Sequence, residues 1–250
     1  MTEQENLPTQ PFIHHMLELR DRLLRTFIAI LILFACLFPF SEQLYLYISE
    51  PIRSFLPESS TMIATEVASP FLTPFKLTLI LAVYLSMPYI LYQLWAFVAP
   101  GLYKKEKRIM LPIFCSSVIL FYGGMAFAYY VVFPLVFMFF TSVAPEGISV
   151  MPDIRAYLDF ALKLFLAFGL SFEIPIAVVI LSWLGTVNPD NLAKKRPYVF
   201  VMCFILGMLL TPPDIISQIL LAIPMWLLFE VGVLFGRMVK PKEQTSSDEG

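Results

Sequence analysis

The stretch PGLYKKEKRIMLP, residues 100–112, separates two long apolar runs at residues 75–98 and 110–139. It contains four cations, at positions 104, 105, 107 and 108, and a single carboxylate, Glu106. Lysine and arginine concentrate in the cytoplasmic loops of membrane proteins, so this stretch predicts a cytoplasmic loop between two transmembrane helices. The same rule does not explain the lone glutamate, which is therefore the first candidate for a specific role.

The composition of the 250-residue chain is typical of a membrane protein. Hydrophobic residues make up 58% of it and charged residues 14%, against about 25% charged residues in soluble domains. A spanning helix needs about 20 mostly apolar residues. Six runs come near that length: 24–41, 75–98, 110–139, 157–184, 198–211 and 215–235. The fifth ends at the prolines of TPPD, which cannot continue a helix. We therefore predict an all-α polytopic protein with six transmembrane helices, the last two short.

The distribution of cations predicts the orientation of these helices. Thirteen of the 17 lysine and arginine residues fall in the N-terminal arm, in residues 100–112, in the loop before the fifth run and in the tail. This bias places both termini in the cytoplasm. Residues 1–238 are predicted to form one membrane domain, and the polar tail 239–250 to be disordered. The arm lacks the pattern of a cleaved signal peptide.

Proline and apolar spacing predict irregular features on the opposite side of the membrane. In the first outer loop, residues 42–74, apolar side chains recur at helical spacing and predict a short amphipathic surface helix with a kink near Pro51. Other prolines lie within or near the predicted spans, at positions 39, 88, 112, 134, 175 and 224. Each removes a helical hydrogen bond, so we expect kinked helices that form a concave wall.

The N-terminal arm is predicted to be an amphipathic helix. Glu18 is spaced to pair with Arg22, and Asp21 with Arg25, each at i+4. Two interpretations remain open. The carboxylates are either tied up locally, or Glu18 faces the cytoplasm as an acceptor for a cationic ligand.

Polar residues inside the later spans are the next candidates. Glu173, in FGLSFEIPIAVV, is costly within a bilayer, and such groups usually face protein or water. It is either a structural carboxyl bonded to a neighbouring helix or a polar site facing a cavity or a partner helix. Thr211, Gln218 and Glu230 add sparser polarity, which an internal or a partner helix could satisfy.

Several functional classes lack support in the sequence. The three cysteines lie apart in apolar runs, and the two histidines, adjacent in the arm, have no third ligand, so neither a disulfide nor a metal site is predicted. No nucleophile constellation, phosphate loop or nucleic-acid-binding module is present. We predict that the protein is not an enzyme and needs no cofactor.

Eight segments together resemble the TatC family, the core receptor subunit of the twin-arginine protein translocase. They are HHMLELRDRL, MIATEVASPF, YQLWAFVAPGLYKKEKR, LFYGGMAFAYYVVFP, AFGLSFEIP, KKRPYV, GMLLTPPD and SQILLAIPMWLLFEVG. Their order and length make the resemblance specific, and it covers about residues 12–237.

The resemblance implies a function that hydropathy alone does not. TatC-like proteins bind signal peptides with two consecutive arginines and help to export folded proteins across the bacterial inner membrane, driven by the proton-motive force. They work with single-span TatA-type and TatB-type partners, in a hetero-oligomeric complex that holds several copies. Nucleic acid is not among the implied partners, while membrane lipids are.

The resemblance also implies roles for individual residues. The implied signal-peptide site comprises Glu18, Arg20, Phe97, Leu102 and Glu106. Three further positions match functional residues of the outer loop and the membrane interior: Pro51, Glu173 and Asp214. The implied contact region for partner helices comprises Met208, Thr211 and Gln218.

Carboxylates are chemically suited to this task. A guanidinium is a planar fork that binds a carboxylate through two hydrogen bonds, whereas lysine is a point charge. We therefore expect Glu18 and Glu106 to approach each other at the cytoplasmic surface and to divide the two arginines. The competing hypothesis is a small-solute or ion transporter with Glu173 as its coupling site. A lack of internal repeats counts against it.

Overall fold

The computed structural model describes residues 10–55, 63–98, 107–143, 153–210 and 215–238. These residues are almost entirely helical, as predicted. The α-helices are α1 Gln10–Leu37, α2 Ser41–Phe55, α3 Ser69–Leu85, α4 Met87–Val98, α5 Lys107–Phe127, α6 Phe133–Val143, α7 Ile154–Trp183, α8 Pro189–Lys194, α9 Arg196–Leu210 and α10 Ile215–Met238.

The six predicted apolar runs all coincide with helices. Four helical segments are long and apolar enough to cross a membrane: Met16–Ile48, Leu111–Val136, Ile154–Trp183 and Gln218–Met238. The pair α3 and α4, bent by 49°, passes the same test as one broken span. The remaining run is α9, which has 15 residues. At about 1.5 Å per residue it measures about 22 Å, shorter than a hydrocarbon core of about 30 Å. The prediction of a short fifth helix is confirmed, whereas that of a short sixth helix is wrong: α10 has 24 residues, about 36 Å, and is long enough to span.

Some prolines lie at breaks between helices, and others lie inside a helix. Pro39 lies in the 3₁₀ turn Phe38–Phe40 that joins α1 to α2. Pro134 follows the π-helical turn Ala128–Val132 between α5 and α6. Pro112, Pro175 and Pro224 lie inside α5, α7 and α10. The helix predicted in the first outer loop exists as α2, and its position on the membrane surface stays a prediction. The predicted kink near Pro51 is wrong, since α2 runs through position 51 without a break and the irregular turn lies before it.

One compact unit comprises residues 1–47 and 74–114. Within it α1 packs against α4, and Phe34, Phe38 and Phe75 form a cluster of edge-on and tilted rings 5.2–6.0 Å apart. The bend between α3 and α4 lies at Ser86, whose hydroxyl donates to the Ala82 carbonyl at 2.7 Å. This packing holds α4 beside the N-terminal arm.

The other unit comprises residues 48–73 and 115–250. Its central element is α7, which packs against α10 along much of its length. Glycines allow the close contacts: a β-carbon at Gly232 would lie 3.0 Å from Pro175 Cα, and one at Gly236 would lie 3.0 Å from Val178. Dispersion contacts between closely packed backbones of this kind stabilise helix pairs within a membrane.

Candidate functional site

Glu18 belongs to a hydrogen-bonded series of side chains. Its Oε1 accepts from Arg22 Nη2 at 2.6 Å and from Arg22 Nε at 3.0 Å. Arg22 Nη1 donates to Gln93 Oε1 at 2.9 Å, and Gln93 Nε2 donates to the Tyr89 hydroxyl at 2.7 Å. The series therefore ties the N-terminal arm to α4.

The Glu18–Arg22 and Arg22–Gln93 hydrogen bonds join residues at very different separations in the sequence. Glu18 and Arg22 are one turn apart on α1, so their pairing follows from local spacing. Gln93 is 71 positions further along, and only the packing of α1 against α4 brings it to Arg22. The side chains of Glu18 and Arg22 are 33% and 23% exposed. The pair is therefore partly shielded from solvent, which makes it stronger than an open surface pair.

An open pocket of about 480 Å³ borders these hydrogen-bonded side chains. Its lining residues are Leu17, Glu18, Asp21, Arg22, Arg25, Tyr92 and Gln93. The lining combines two carboxylates and two guanidinium groups with aromatic and aliphatic surface. The pocket therefore offers both charged and apolar contacts beside Glu18.

Asp21 does not make the pair expected from its spacing. Its Oδ1 accepts from Arg20 at 2.9 and 3.1 Å, and not from Arg25 within the described structure. The Arg20 side chain is 64% exposed and that of Asp21 52%. Adjacent residues can meet in this way at a solvated surface, where the energy difference between alternative pairings is small.

The structure describes only some of the other residues predicted to bind the signal peptide. Phe97 is half-buried in the last turn of α4, one turn beyond Gln93. Leu102 and Glu106 lie outside the described residues, as do Thr211 and Asp214. Pro51 lies within α2. The predicted approach of Glu106 to Glu18 stays a prediction.

Glu173 is buried at the centre of α7, with 8% of its surface exposed. The Ser117 hydroxyl of α5 donates to its Oε2, while Oε1 has no hydrogen-bond partner in the described part of the chain. The carboxyl group thus faces protein, and the neighbouring helix α5 donates a hydrogen bond to one of its two oxygens. This contact supports the structural interpretation and leaves one oxygen available for a functional one.

The helices α9 and α10 pack tightly against each other. Gln218 donates from Nε2 to the Phe204 carbonyl at 2.8 Å, and a β-carbon at Gly207 would lie 3.2 Å from the Gln218 carbonyl oxygen. The amide of Gln218 therefore has an internal acceptor. Met208, next to this contact, is 51% exposed and available to a neighbouring helix.

Glu230 also has an internal partner. Arg196 Nε and Nη2 each donate to a separate oxygen of Glu230, both at 2.7 Å. This is the full fork geometry between a guanidinium and a carboxylate. It connects the start of α9 to α10 and accounts for a polar residue that the sequence left without a partner.

A cluster around Asp153, here called the Asp153 cluster, connects two segments that are far apart in sequence. Asp153 Oδ2 accepts from the backbone N–H of Thr65 at 3.0 Å and from the Thr65 hydroxyl at 2.6 Å. Its Oδ1 accepts from the backbone N–H groups of Arg155 and Ala156 at 2.9 Å, which caps the N-terminus of α7. An ion pair between Arg155 and Glu66 lies beside it.

These bonds stabilise the ionised form of Asp153. The hydroxyl of Thr65, followed by backbone N–H groups, lowers the pKa of Asp153 from 3.8 to about 2. The aspartate directly before a helix was the one available signal in the sequence, since aspartate is a preferred N-cap. The pairing with Thr65 had no local signal.

Among the described residues, no group of three or more histidine, cysteine, aspartate or glutamate side chains could hold a metal ion. Each of the polar sites described above centres on one carboxylate or amide group.

Comparisons with known proteins agree on one family. The family described as "Sec-independent protein translocase protein (TatC)" matches residues 14–224. A protein of Azotobacter chroococcum named "Sec-independent protein translocase protein TatC" is 56% identical over 240 residues, which cover 96% of this chain and 94% of the relative. A protein of the same name from Escherichia coli K12 is 57% identical over 229 residues, 92% of this chain and 89% of the relative.

Solved structures give the same result. A crystal structure titled "Twin Arginine Translocase Receptor- TatC" is similar to this chain with a TM-score of 0.82 and 34% sequence identity. The match covers 90% of this chain and 98% of the solved one. A second structure of that receptor, in DDM, matches with a TM-score of 0.80 and 35% identity.

Proposed function

This chain belongs to the TatC family of Sec-independent protein translocase proteins, and we propose from this that it binds twin-arginine signal peptides through Glu18 and Glu106. It is a multi-pass membrane protein that serves as a translocase receptor and not as an enzyme. The single observation that carries the proposal is the state of Glu18, whose carboxylate already binds a guanidinium beside an open pocket.

The geometry around Glu18 supports recognition of arginine. Two N–H groups of one guanidinium reach its Oε1, so the carboxylate is placed to accept more than one donor from a planar fork. The pocket beside it has aromatic and aliphatic walls, at Tyr92 and Leu17, for the chain that carries the arginine. In the proposal, Glu106 in the following loop binds the second arginine of the pair, and Phe97 and Leu102 contact the peptide backbone or its apolar residues.

The proposed setting is the cytoplasmic face of the bacterial inner membrane. Thirteen of 17 cations lie in segments that the positive-inside rule places on one side, and this supports cytoplasmic termini. The arm that carries Glu18 then faces the compartment in which folded cargo is made. Export in this system is proposed to draw on the proton-motive force.

Partner subunits are proposed to bind elsewhere on the chain. Met208 is an exposed apolar residue beside Gln218, which supports a contact of this region, with Thr211, to the single transmembrane helix of TatA-type or TatB-type proteins. Pro51 and Asp214 are proposed to act in assembly or transport. We propose that Glu173 acts after the peptide has docked.

The affinity for a signal peptide tests the proposed roles of Glu18 and Glu106. The full-length protein in nanodiscs is titrated with a fluorescent twin-arginine peptide, and Glu18→Gln and Glu106→Gln are compared with the parent. Losing one partner costs about 0–1 kcal/mol at an exposed pair and about 2–5 at a buried one. Since Glu18 is partly exposed, we expect Glu18→Gln to weaken binding about tenfold.

Two controls make the result specific. Glu42→Gln removes an exposed carboxylate in the first turn of α2 and should leave the affinity unchanged. A twin-lysine peptide should bind the parent more weakly, because lysine cannot form the fork. An unchanged affinity in Glu18→Gln or in Glu106→Gln would remove that residue from the site.

A further inference from the structure

Arg22 occupies the carboxylate that the proposed function assigns to the signal peptide. Two of its N–H groups bond Glu18 Oε1 at 2.6 and 3.0 Å. We propose that Arg22 is an intramolecular competitor, which leaves Glu18 when the guanidinium of the peptide binds there. This inference rests on the proposed role of Glu18 and adds what sets the affinity of that site.

The geometry of the internal pair explains why a peptide arginine can replace it. Both donors of Arg22 converge on one oxygen of Glu18. In the Arg196–Glu230 pair of the same chain, by contrast, each donor has its own oxygen, both at 2.7 Å. An arginine that arrives from solvent is not restricted to the i+4 spacing and can adopt this fork arrangement. The exchange therefore replaces a weaker pairing with a stronger one of the same chemical kind.

Gln93 provides a partner for Arg22 during the exchange. Its Oε1 accepts from Arg22 Nη1 at 2.9 Å, and its amide is oriented by the Tyr89 hydroxyl at 2.7 Å. Gln93 is buried, with 7% of its surface exposed. A guanidinium that loses Glu18 thus keeps a fixed neutral acceptor on α4. The exchange does not leave a partly buried charge without a hydrogen bond, which would be costly.

The charge of the pocket favours exchange. Its lining contains Glu18 and Asp21 against Arg22 and Arg25, so the formal charges cancel. A cationic peptide gains little from the net field of such a pocket. A Glu18 carboxylate that is released from its internal cation therefore binds a peptide arginine more tightly.

Competition of this kind has a defined thermodynamic signature. The apparent dissociation constant equals the intrinsic one divided by the fraction of receptors in which Glu18 is released. That fraction belongs to the receptor, so it affects every peptide that binds Glu18 by the same factor. The contact with Arg22 therefore sets the affinity threshold of the site and leaves the preference for arginine over lysine unchanged.

Arg22→Gln tests the inference in the nanodisc titration. We expect twin-arginine and twin-lysine peptides both to bind about tenfold more tightly, the effect of losing a pair of intermediate exposure. Arg22→Lys keeps the charge but not the fork, and should give a smaller gain for both peptides. Arg25→Gln is the matched control. It removes the same charge from the same pocket and should change affinity by about twofold or less, because the charge is screened.

The outcomes separate this inference from the proposed function. Weaker binding in Arg22→Gln would mean that Arg22 positions Glu18, and would overturn the inference. Equal gains in Arg22→Gln and Arg25→Gln would overturn it too, since net charge would then be the cause. Either result leaves the proposed function intact if Glu18→Gln still loses affinity. If Glu18→Gln binds normally, the proposed function itself fails.

Discussion

Two adjacent glycines on α5 have opposite surroundings, and this makes their replacement a sharp test of the packing. A β-carbon at Gly124 would lie 2.6 Å from the carbonyl oxygen of Phe168 and 2.9 Å from the ring of Phe172. At Gly123 it would meet nothing within 4 Å. We expect Gly124→Ala to destabilise the protein and Gly123→Ala to leave it as stable as the parent or slightly more so.

The magnitude follows from the difference between the two variants. Alanine is favoured over glycine in a helix by about 1 kcal/mol, and this gain is common to both positions, so it cancels. What remains is the cost of forcing α5 and α7 apart at Gly124, about 1–3 kcal/mol for an overpacked contact. The neighbours cannot easily yield, because the closest atom belongs to the backbone of Phe168, whose side chain is fully buried.

Thermal unfolding of the purified protein in detergent, at one scan rate, measures this difference. A change of 1 kcal/mol shifts the midpoint by about 2–4 °C in a chain of this size, so Gly124→Ala should unfold about 2–12 °C below Gly123→Ala. Equal midpoints would refute the close approach of α5 to α7. A large loss in Gly123→Ala would show that this position is not open.

Three further predictions concern the Asp153 cluster and the buried carboxyl group of Glu173. Asp153→Ala removes the cap of α7 and should lower the free energy of unfolding by about 1 kcal/mol or more. Thr65→Val removes only one hydrogen bond and should cost less. Hydrogen exchange in the first turn of α7 would distinguish the two variants. The pKa of Asp153 is lowered to about 2 on folding, so its contribution is complete above about pH 4 and is lost as the pH falls towards 2; an acid titration of Asp153→Ala should lack that step. Ser117→Ala removes a donor to Glu173 within the membrane and should cost about 0.6 kcal/mol, measured by unfolding in detergent; no change would mean that the bond contributes nothing.

The sequence predicted features that depend on local spacing. The helical runs, the short α9 and the Glu18–Arg22 pair all follow from residues within a few turns of each other. TPPD marks the end of α9 because proline cannot continue a helix. Family resemblance then added the receptor function, which hydropathy cannot distinguish from solute transport.

Features that depend on packing between distant segments could not be predicted. Gln93 reaches Arg22 across 71 positions, and Asp153 reaches Thr65 across 88. The Asp21–Arg25 pairing was wrong, since spacing alone cannot rank two partners of similar energy at a solvated surface. Glu106 lies outside the described residues, so the central expectation for the site still depends on the peptide titration.

The glycine contacts along α7 restrict the movement of the helix that carries Glu173. Gly124 on α5, and Gly232 and Gly236 on α10, bring their own backbones against α7 on both sides of that residue. Sliding or rotating α7 would bring it into clash with these glycines, so its movement within the unit is restrained. A change around the carboxyl group then comes from its own rotamer or from an arriving molecule. For distance measurements by spin labelling, α7 is accordingly the reference against which movements within its unit can be measured.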